Sequence, residues 1–194
     1  MNQSEDSNTS TQPASELTSD DTMDRLVASC VAGDGSAMKS IYEHCSSRVY
    51  GLMVRMVGRQ DADDLTQQVF LQMFRKLNQF SGQSKLETWL FRLATNEALQ
   101  HLRKQKRRST ASLVSEPATT DDNRLIKCDE ARLLEAALNR LDSELRAVFL
   151  LKEQNGLSYR EIAESLGIPE GTVGSRLNRA RNELRHELTK LGYE

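Results

Sequence analysis

The stretch GLSYREIAESLGIPEGTVGSRLNRAR at residues 156–181 constrains the fold more than any other feature of the sequence. Ser158, followed three residues later by Glu161, is the signature of a capping box, which predicts that a helix begins there. Gly167 can supply a tight turn after this helix, and Pro169 stops the first helix while suiting the start of a second. The sequence therefore predicts two consecutive helices joined by a short turn.

The small and apolar residues of this stretch are spaced as two crossing helices require. Counted from Tyr159 as the first residue, Ala163 and Gly167 are the fifth and the ninth. The apolar Val173 is the fifteenth. Helices that cross near a right angle need small residues where their backbones approach and an apolar residue that closes the core. Together with the basic residues that follow, this pattern predicts a helix-turn-helix that binds DNA.

The second predicted helix carries the side chains that would reach DNA. Those that can face a groove are Thr172, Ser175, Asn178 and Arg179. The arginines that can approach phosphates are Arg176, Arg181 and Arg185. Gly174 lies in the same helix, where glycine lowers helix stability by about 1 kcal/mol relative to alanine.

The spacing of apolar residues divides the chain into four parts. Residues 1–22 are acidic, rich in Ser and Thr and almost without apolar side chains, so they are predicted to be a disordered tail. Apolar residues recur at helical spacing over 23–108 and over 129–194, whereas 109–128 loses this periodicity. The predicted fold is all-α. Two small helical domains are joined by a flexible linker, and the C-terminal domain contains the helix-turn-helix.

The formal net charge of −2 at pH 7 conceals an uneven charge distribution. Residues 1–24 carry acidic side chains and no basic ones, whereas 25–108 contain 14 basic and 7 acidic residues. Such asymmetry is typical of a protein body that faces nucleic acid and carries an acidic tail. A solvated helix face followed by a basic linker would give the same charges and is the alternative interpretation.

The sequence offers no segment suited to a membrane and no pattern of metal ligands. Its longest apolar run, 147–151, is too short for a signal peptide or a membrane span, which predicts a cytoplasmic protein without stable membrane insertion. The cysteines are Cys30, Cys45 and Cys128. They lack C-x-x-C spacing, so we expect reduced structural thiols and no zinc site with His44.

Two blocks of the chain are similar to two regions of the extracytoplasmic-function sigma factors, which are compact bacterial transcription initiation subunits. The segment at 61–108, DADDLTQQVFLQMFRKLNQFSGQSKLETWLFRLATNEALQHLRKQKRR, resembles region two. The segment at 24–52 resembles the helices that precede region two. Region four is resembled by 137–184, and the whole resemblance covers about residues 24–190. It implies an alternative sigma factor that binds core RNA polymerase, directs it to specific promoters and assists promoter opening. It implies neither catalytic activity nor a cofactor.

The resemblance implies particular partners and a particular polymerase contact. The partners are the β′ clamp helices and the β flap of core RNA polymerase, promoter DNA and an anti-sigma factor. The residues implied for the clamp contact are Asp64, Gln67 and Gln68. Family members often carry Glu in place of Gln68, so one charge-assisted contact is expected to be weaker by about 1–2 kcal/mol. Because Asp63 and Asp64 are adjacent, they point to different sides of a helix, which disfavours a metal site.

The resemblance also implies two DNA-binding surfaces. The loop in FSGQSKLETWL would hold a flipped base of the single-stranded minus-ten element, and the next helix would contact the same DNA. The implied minus-ten residues are Ser81, Gly82, Gln83, Ser84, Lys85, Arg92, Asn96, Gln100, Arg103 and Lys104. The implied minus-thirty-five residues are Thr172, Gly174, Ser175, Arg176, Asn178 and Arg179. Relatives commonly have Lys or Arg in place of Gly174, so we expect weaker or altered recognition of the upstream element.

Other classes of protein fit the sequence less well. A response regulator with a terminal helix-turn-helix needs a β/α receiver domain, and 25–108 shows no alternating strand pattern. A metal-dependent nucleic-acid enzyme needs converging ligands and a base, and the sequence has neither H-x-x-x-H nor paired-carboxylate spacing. A stand-alone helix-turn-helix transcriptional regulator is the alternative function. It differs from a sigma factor in acting without core polymerase.

Overall fold

The computed structural model describes residues 19–111 and 129–193. These residues form eight α-helices and one short 3-10 helix, and no strand occurs among them. The predicted all-α fold is therefore confirmed. The predicted disordered tail up to residue 18 and the predicted linker over 112–128 lie outside the described residues.

The N-terminal domain contains four α-helices packed around one apolar core. The helices are α1 (Ser19–Val31), α2 (Gly35–Val57), α3 (Arg59–Lys76) and α4 (Leu86–Ala111), with the 3-10 helix at Leu77–Gln79. Helices α2, α3 and α4 pack against one another, and α1 packs on α2. The largest fully buried side chains of this domain include Ile41, Leu52, Met53, Met73 and Leu90. The Asp34 side chain caps α2 by accepting a hydrogen bond from the Ser36 N–H at 2.8 Å.

Two helices extend beyond the predicted limits of this domain. Helix α1 begins at Ser19, four residues before the predicted start of the domain at residue 23. Helix α4 continues to Ala111 and not only to Arg108, because no Gly or Pro stops it. The apolar spacing therefore indicates where the core ends, whereas α1 and α4 extend a few residues beyond it.

The C-terminal domain contains four further helices. They are α5 (Asp129–Arg140), α6 (Ser143–Glu153), α7 (Tyr159–Leu166) and α8 (Glu170–Lys190). The long α8 packs across α5, α6 and α7. Its buried residues Val173, Leu177 and Ala180 are spaced three and four residues apart and face the other helices.

The turn between α7 and α8 has the predicted chemistry. The Ser158 hydroxyl accepts a hydrogen bond from the Glu161 N–H, and the Glu161 carboxylate accepts one from the Ser158 N–H at 2.8 Å. This is the expected capping box. Gly167 ends α7 in the left-handed conformation with φ 65°, and Pro169 precedes the first residue of α8. The helix-turn-helix prediction is confirmed.

The two domains pack directly against each other. Helix α4 lies against α6 and α7, while α2 lies against α5 and α6. At this junction the buried Arg146 donates a hydrogen bond from Nη1 to the backbone oxygen of Met56, at 2.8 Å. Burial lowers the pKa of the Arg146 guanidinium, and the nearby Asp142 carboxylate partly opposes this shift. None of the described helices combines the length and apolar character needed to cross a membrane.

Candidate polymerase and promoter interfaces

One side of α3 carries the residues predicted to bind the polymerase. Asp64, Gln67 and Gln68 are all exposed, and they lie on one side because they are three and four residues apart. Leu71 continues this side and is 56% exposed. We call these four residues the α3 face. Leu71 is not among the predicted polymerase-binding residues, although its position three residues after Gln68 places it on the same side of the helix.

The acidic residues around α3 do not converge on one point. Asp61 lies 3.1 Å from the Nε2 atom of His101 on α4, whereas Asp63 and Asp64 are exposed. Among the described residues, no group of three or more His, Cys, Asp and Glu side chains could hold a metal ion. Asp61 therefore joins α3 to α4, which is a structural role.

The loop over 81–85 connects the 3-10 helix to α4, and we call it the minus-ten loop. Gly82 has φ 70°, a backbone conformation that side chains rarely adopt. Its residues Gly82, Gln83, Ser84 and Lys85 line an open pocket of about 580 Å³, together with residues of α1, α2, α4 and α7. Only Ser84 of the loop is half-buried, and the rest are exposed. The loop thus presents polar groups around a space on the surface.

Contacts on both sides hold the ends of the minus-ten loop. Before the loop, Phe80 packs against the half-buried Trp89 with ring centroids 5.5 Å apart, so Trp89 contributes to the core. After the loop, Glu87 accepts a hydrogen bond from Arg48 Nη1 at 2.7 Å and lies 3.1 Å from His44 Nε2. The role of Glu87 could not be predicted, because its partners precede it by about forty positions and no local pattern joins them.

The outer side of α4 carries an exposed polar stripe that continues from the loop. Its members recur at helical spacing and comprise Arg92, Asn96, Gln100, Arg103 and Lys104. We call them the α4 stripe. Across the helix, Gln72 of α3 donates a hydrogen bond to Glu97 at 2.7 Å, which fixes the rotation of α4. The ten residues predicted for the minus-ten element therefore lie on the loop and on the exposed side of α4.

Helix α8 presents the residues predicted for the minus-thirty-five element. Ser175, Asn178 and Arg179 are exposed, whereas Thr172, Gly174 and Arg176 are half-buried. Arg176 Nη1 lies 2.9 Å from Glu144 Oε2 on α6, and Arg179 Nε lies 2.7 Å from Glu183 one turn further along α8. Two of the predicted DNA-binding arginines thus already contact carboxylates within the chain.

Comparison with known proteins shows the family. Residues 41–108 match the family described as Sigma-70 region 2, and 131–184 match Sigma-70, region 4. The ECF RNA polymerase sigma-E factor of Haemophilus influenzae is 31% identical over 179 residues, which cover 86% of this chain and 95% of that protein. The chain belongs to the ECF sigma factors.

Further relatives agree with this membership. The ECF RNA polymerase sigma-E factor of Escherichia coli K12 is 30% identical over 86% of this chain and 94% of its own length. A solved structure of the sigma factor RpoE with the anti-sigma factor NepR, from Bartonella quintana, has a TM-score of 0.64 and 26% identity. It covers 78% of this chain and 96% of that one. The protein is therefore an alternative sigma factor that directs RNA polymerase.

In this sigma factor, neither the backbone conformation nor a lack of space requires a glycine at position 174. It lies within α8 in ordinary helical conformation. A Cβ atom at this position would lie 3.6 Å from Tyr159 Cε2, which is an ordinary van der Waals contact. An alanine side chain therefore fits, and packing does not require glycine at this position.

The cysteines of this sigma factor fit the expectation of structural thiols. Cys30 and Cys45 are buried and unpaired with each other, and Cys128 lies outside the described residues. Burial raises the pKa of Cys45 to about 11, with Glu87 adding to the shift and Arg48 opposing it. A thiol that stays protonated near neutral pH is a poor metal ligand.

Proposed function

We propose that this sigma factor binds core RNA polymerase through the α3 face and contacts promoter DNA through the minus-ten loop, the α4 stripe and α8. The observation that carries the proposal is that a family fold carries exposed polar residues on the α3 face, on the minus-ten loop with the α4 stripe, and on α8. The α3 face contains three polar groups next to one exposed leucine, a combination suited to a helical partner. The partner we propose is the β′ clamp helices.

We propose that the minus-ten loop accepts a base extracted from the opening duplex. Extracting a base costs a few kcal/mol, which polar contacts in a pocket and contacts to the DNA backbone must offset. Gln83, Ser84 and Lys85 supply such polar groups around the pocket. The α4 stripe supplies backbone charge, which gives affinity and a strong salt dependence but little sequence information.

We propose that α8 reads the minus-thirty-five element weakly. Gly174 provides no side chain at a position that the family resemblance implies for this element, and the nearby Arg176 contacts Glu144. Promoter choice would then depend mainly on the N-terminal domain.

We further propose an anti-sigma partner, since a related sigma factor was solved with its anti-sigma factor. The β flap is the proposed polymerase contact of the C-terminal domain. The protein would act in the cytoplasm, where core polymerase works, and without catalytic chemistry of its own.

The test is a reconstitution with purified protein, core RNA polymerase and a promoter library, read by sequencing the transcripts. We expect specific start sites that depend on the protein. The variant Asp64→Asn should lower affinity for core about ten-fold, since it removes a charge-assisted contact. Glu164→Gln is the matched control, because it removes one exposed helical carboxylate from the other domain. A protein that binds promoter DNA alone and never engages core would instead be a stand-alone regulator.

A further inference from the structure

A carboxylate at the start of α4 forms part of the wall of the pocket beside the minus-ten loop. Glu87 lies in the first turn of α4, two residues after the loop ends at Lys85. Its side chain is 28% exposed, and it lines the pocket together with His44 of α2. A residue outside the predicted minus-ten set thus contributes to the space that would receive a base.

Two basic side chains of α2 hold the Glu87 carboxylate, one at each oxygen. Arg48 donates a hydrogen bond from Nη1 to Glu87 Oε2 at 2.7 Å. His44 Nε2 lies 3.1 Å from Glu87 Oε1. Because His44 and Arg48 are four residues apart, they lie on the same side of α2. The carboxylate is therefore held at two points, which restricts the rotation of its side chain.

Arg48 is itself held in place by α4. Its guanidinium carbon lies over the ring of Phe91, 5.0 Å from the ring centroid. Phe91 is buried and follows Glu87 by four residues, which is about one helical turn. The hydrogen bond to Glu87 and the contact with Phe91 together fix the guanidinium. Helix α2 and the start of α4 therefore form a support directly behind the minus-ten loop.

The negative charge of Glu87 does not suit a contact with DNA phosphates. A carboxylate repels a phosphate, and the α4 stripe already supplies Arg92, Arg103 and Lys104 for contacts to the DNA backbone. On electrostatic grounds alone, a neutral side chain at position 87 would favour DNA binding. Any benefit of the carboxylate must therefore come from the geometry that it imposes on the pocket.

We propose that Glu87 is a positioning residue for base capture. Held by Arg48 and His44, it fixes the start of α4 and with it the end of the minus-ten loop, so that the pocket is formed before the base enters. A pocket formed in advance lowers the conformational cost of binding, and extraction of the base is itself unfavourable. This inference rests on the proposed function, because it assigns a role to a side chain of the same pocket. Binding of double-stranded DNA, in which the base stays stacked, should not depend on Glu87.

The test compares wild type, Glu87→Gln, Arg48→Gln and the double variant, each as a holoenzyme with core polymerase. The probe is a fluorescently labelled promoter fragment from the reconstitution, in which one strand of the minus-ten element is left single-stranded. Both single variants should bind this probe about three- to ten-fold more weakly than wild type. Because the two side chains act through one contact, the double variant should bind about as weakly as the weaker single variant.

Abasic substitutions along the single-stranded minus-ten element locate the effect. In wild type, removing the captured base should weaken binding strongly, and this sensitivity should be smaller in Glu87→Gln and in Arg48→Gln. A general loss of structure would instead weaken core binding and binding of a fully double-stranded upstream fragment as well. We expect both of these affinities to stay within about two-fold of wild type.

Glu43→Gln is the matched control. Glu43 lies on α2 next to His44, but it is exposed and lies 3.7 Å from Lys39 of the same helix. This change also removes one carboxylate from the N-terminal domain, and it should alter affinity for the single-stranded probe by less than about two-fold. Unchanged or tighter binding by Glu87→Gln, or losses that add in the double variant, would overturn the positioning role.

The wild-type holoenzyme separates this inference from the proposed function. If an abasic site weakens binding of wild type at one position and the two single variants behave like wild type, only the role of Glu87 is wrong. If no abasic site weakens binding of wild type, the minus-ten loop captures no base. The proposed function of the loop then fails, and the positioning role fails with it.

Discussion

The two domains differ in their balance of basic and acidic side chains. Residues 25–108 contain 14 basic and 7 acidic residues, whereas 129–193 contain 10 basic and 11 acidic residues. In the C-terminal domain Arg176, Arg179 and Arg181 each contact a carboxylate. On the α4 stripe, no carboxylate among the described residues contacts Arg92 or Lys104. The C-terminal domain is thus nearly neutral, and we expect the more basic N-terminal domain to supply most of the attraction for DNA.

The largest effect on stability is expected from substitution of Arg146, which is buried and hydrogen-bonded. The guanidinium of Arg146 donates hydrogen bonds to backbone oxygens of Met56, Asn139 and Leu141 and to the Asn139 side chain. Arg146→Ala would leave buried acceptors unsatisfied and create a cavity, so we expect unfolding free energy to fall by about 2–4 kcal/mol. Chemical denaturation followed by circular dichroism measures this loss.

The fluorescence of Trp89, the protein's single tryptophan, reports on the N-terminal domain in the same experiment. We expect Arg146→Ala to shift the circular dichroism transition more than the fluorescence transition, because three of the four bonds lie within the C-terminal domain. Equal shifts of both transitions would indicate that the two domains unfold as one unit.

The second prediction tests the difference in charge pairing directly. Arg92→Gln with Lys104→Gln should lower promoter affinity of the holoenzyme about ten-fold near 0.1 M salt and reduce the salt slope by about 1.5. Arg181→Gln with Arg185→Gln removes the same charge from α8. We expect only about a two- to three-fold loss there, since Arg181 already contacts Glu153 and loses that contact on binding DNA. Promoter binding is measured by fluorescence anisotropy across a salt series, and equal slopes would contradict the comparison.

The third prediction concerns Gly174, which lowers the stability of helix α8. Gly174→Ala should raise the unfolding free energy by about 1 kcal/mol, because alanine favours the helix and its Cβ meets only an ordinary contact with Tyr159. Gly174→Arg should also tighten promoter binding about three- to ten-fold and strengthen the preference for the minus-thirty-five element. Gly174→Ala is the control for the helix effect. Identical affinity and sequence preference in Gly174→Arg would exclude a missing DNA contact.

Local chemistry explains which parts of the structure were predictable. The capping box of Ser158 and Glu161 joins residues three apart, and Gly167 acts on the helix that it ends, so each leaves a short pattern in the sequence. The contacts of Glu144 and Arg146 with the N-terminal domain join residues 41 and 90 positions apart. No periodicity links such distant residues. The sequence therefore predicted two tethered domains, whereas their packing against each other became visible only in three dimensions.

The smallest expected effect is a loss of stability at alkaline pH. We expect the loss in the N-terminal domain and not in the C-terminal domain. The described part of the C-terminal domain has no cysteine, whereas Cys45 is buried in the N-terminal domain. Burial raises the pKa of this thiol from 9.0 to about 11, so the folded state holds its proton more tightly than the unfolded state. The stabilising contribution is therefore fully present below pH 9 and is lost as pH rises towards 11.

By about pH 9.5 the loss should be less than about 1 kcal/mol, and Trp89 fluorescence during chemical denaturation at a series of pH values measures it. Cys45→Ala is the reference variant: it lowers stability at every pH by removing a buried group but should lack the contribution of this thiol to the alkaline decline. If wild type and Cys45→Ala lose stability in parallel above pH 9, another group controls the decline. If wild type and Cys45→Ala differ in the fluorescence transition but not in the circular dichroism transition, the effect lies in the N-terminal domain. This domain would then combine a strongly charged surface with a core that excludes charge.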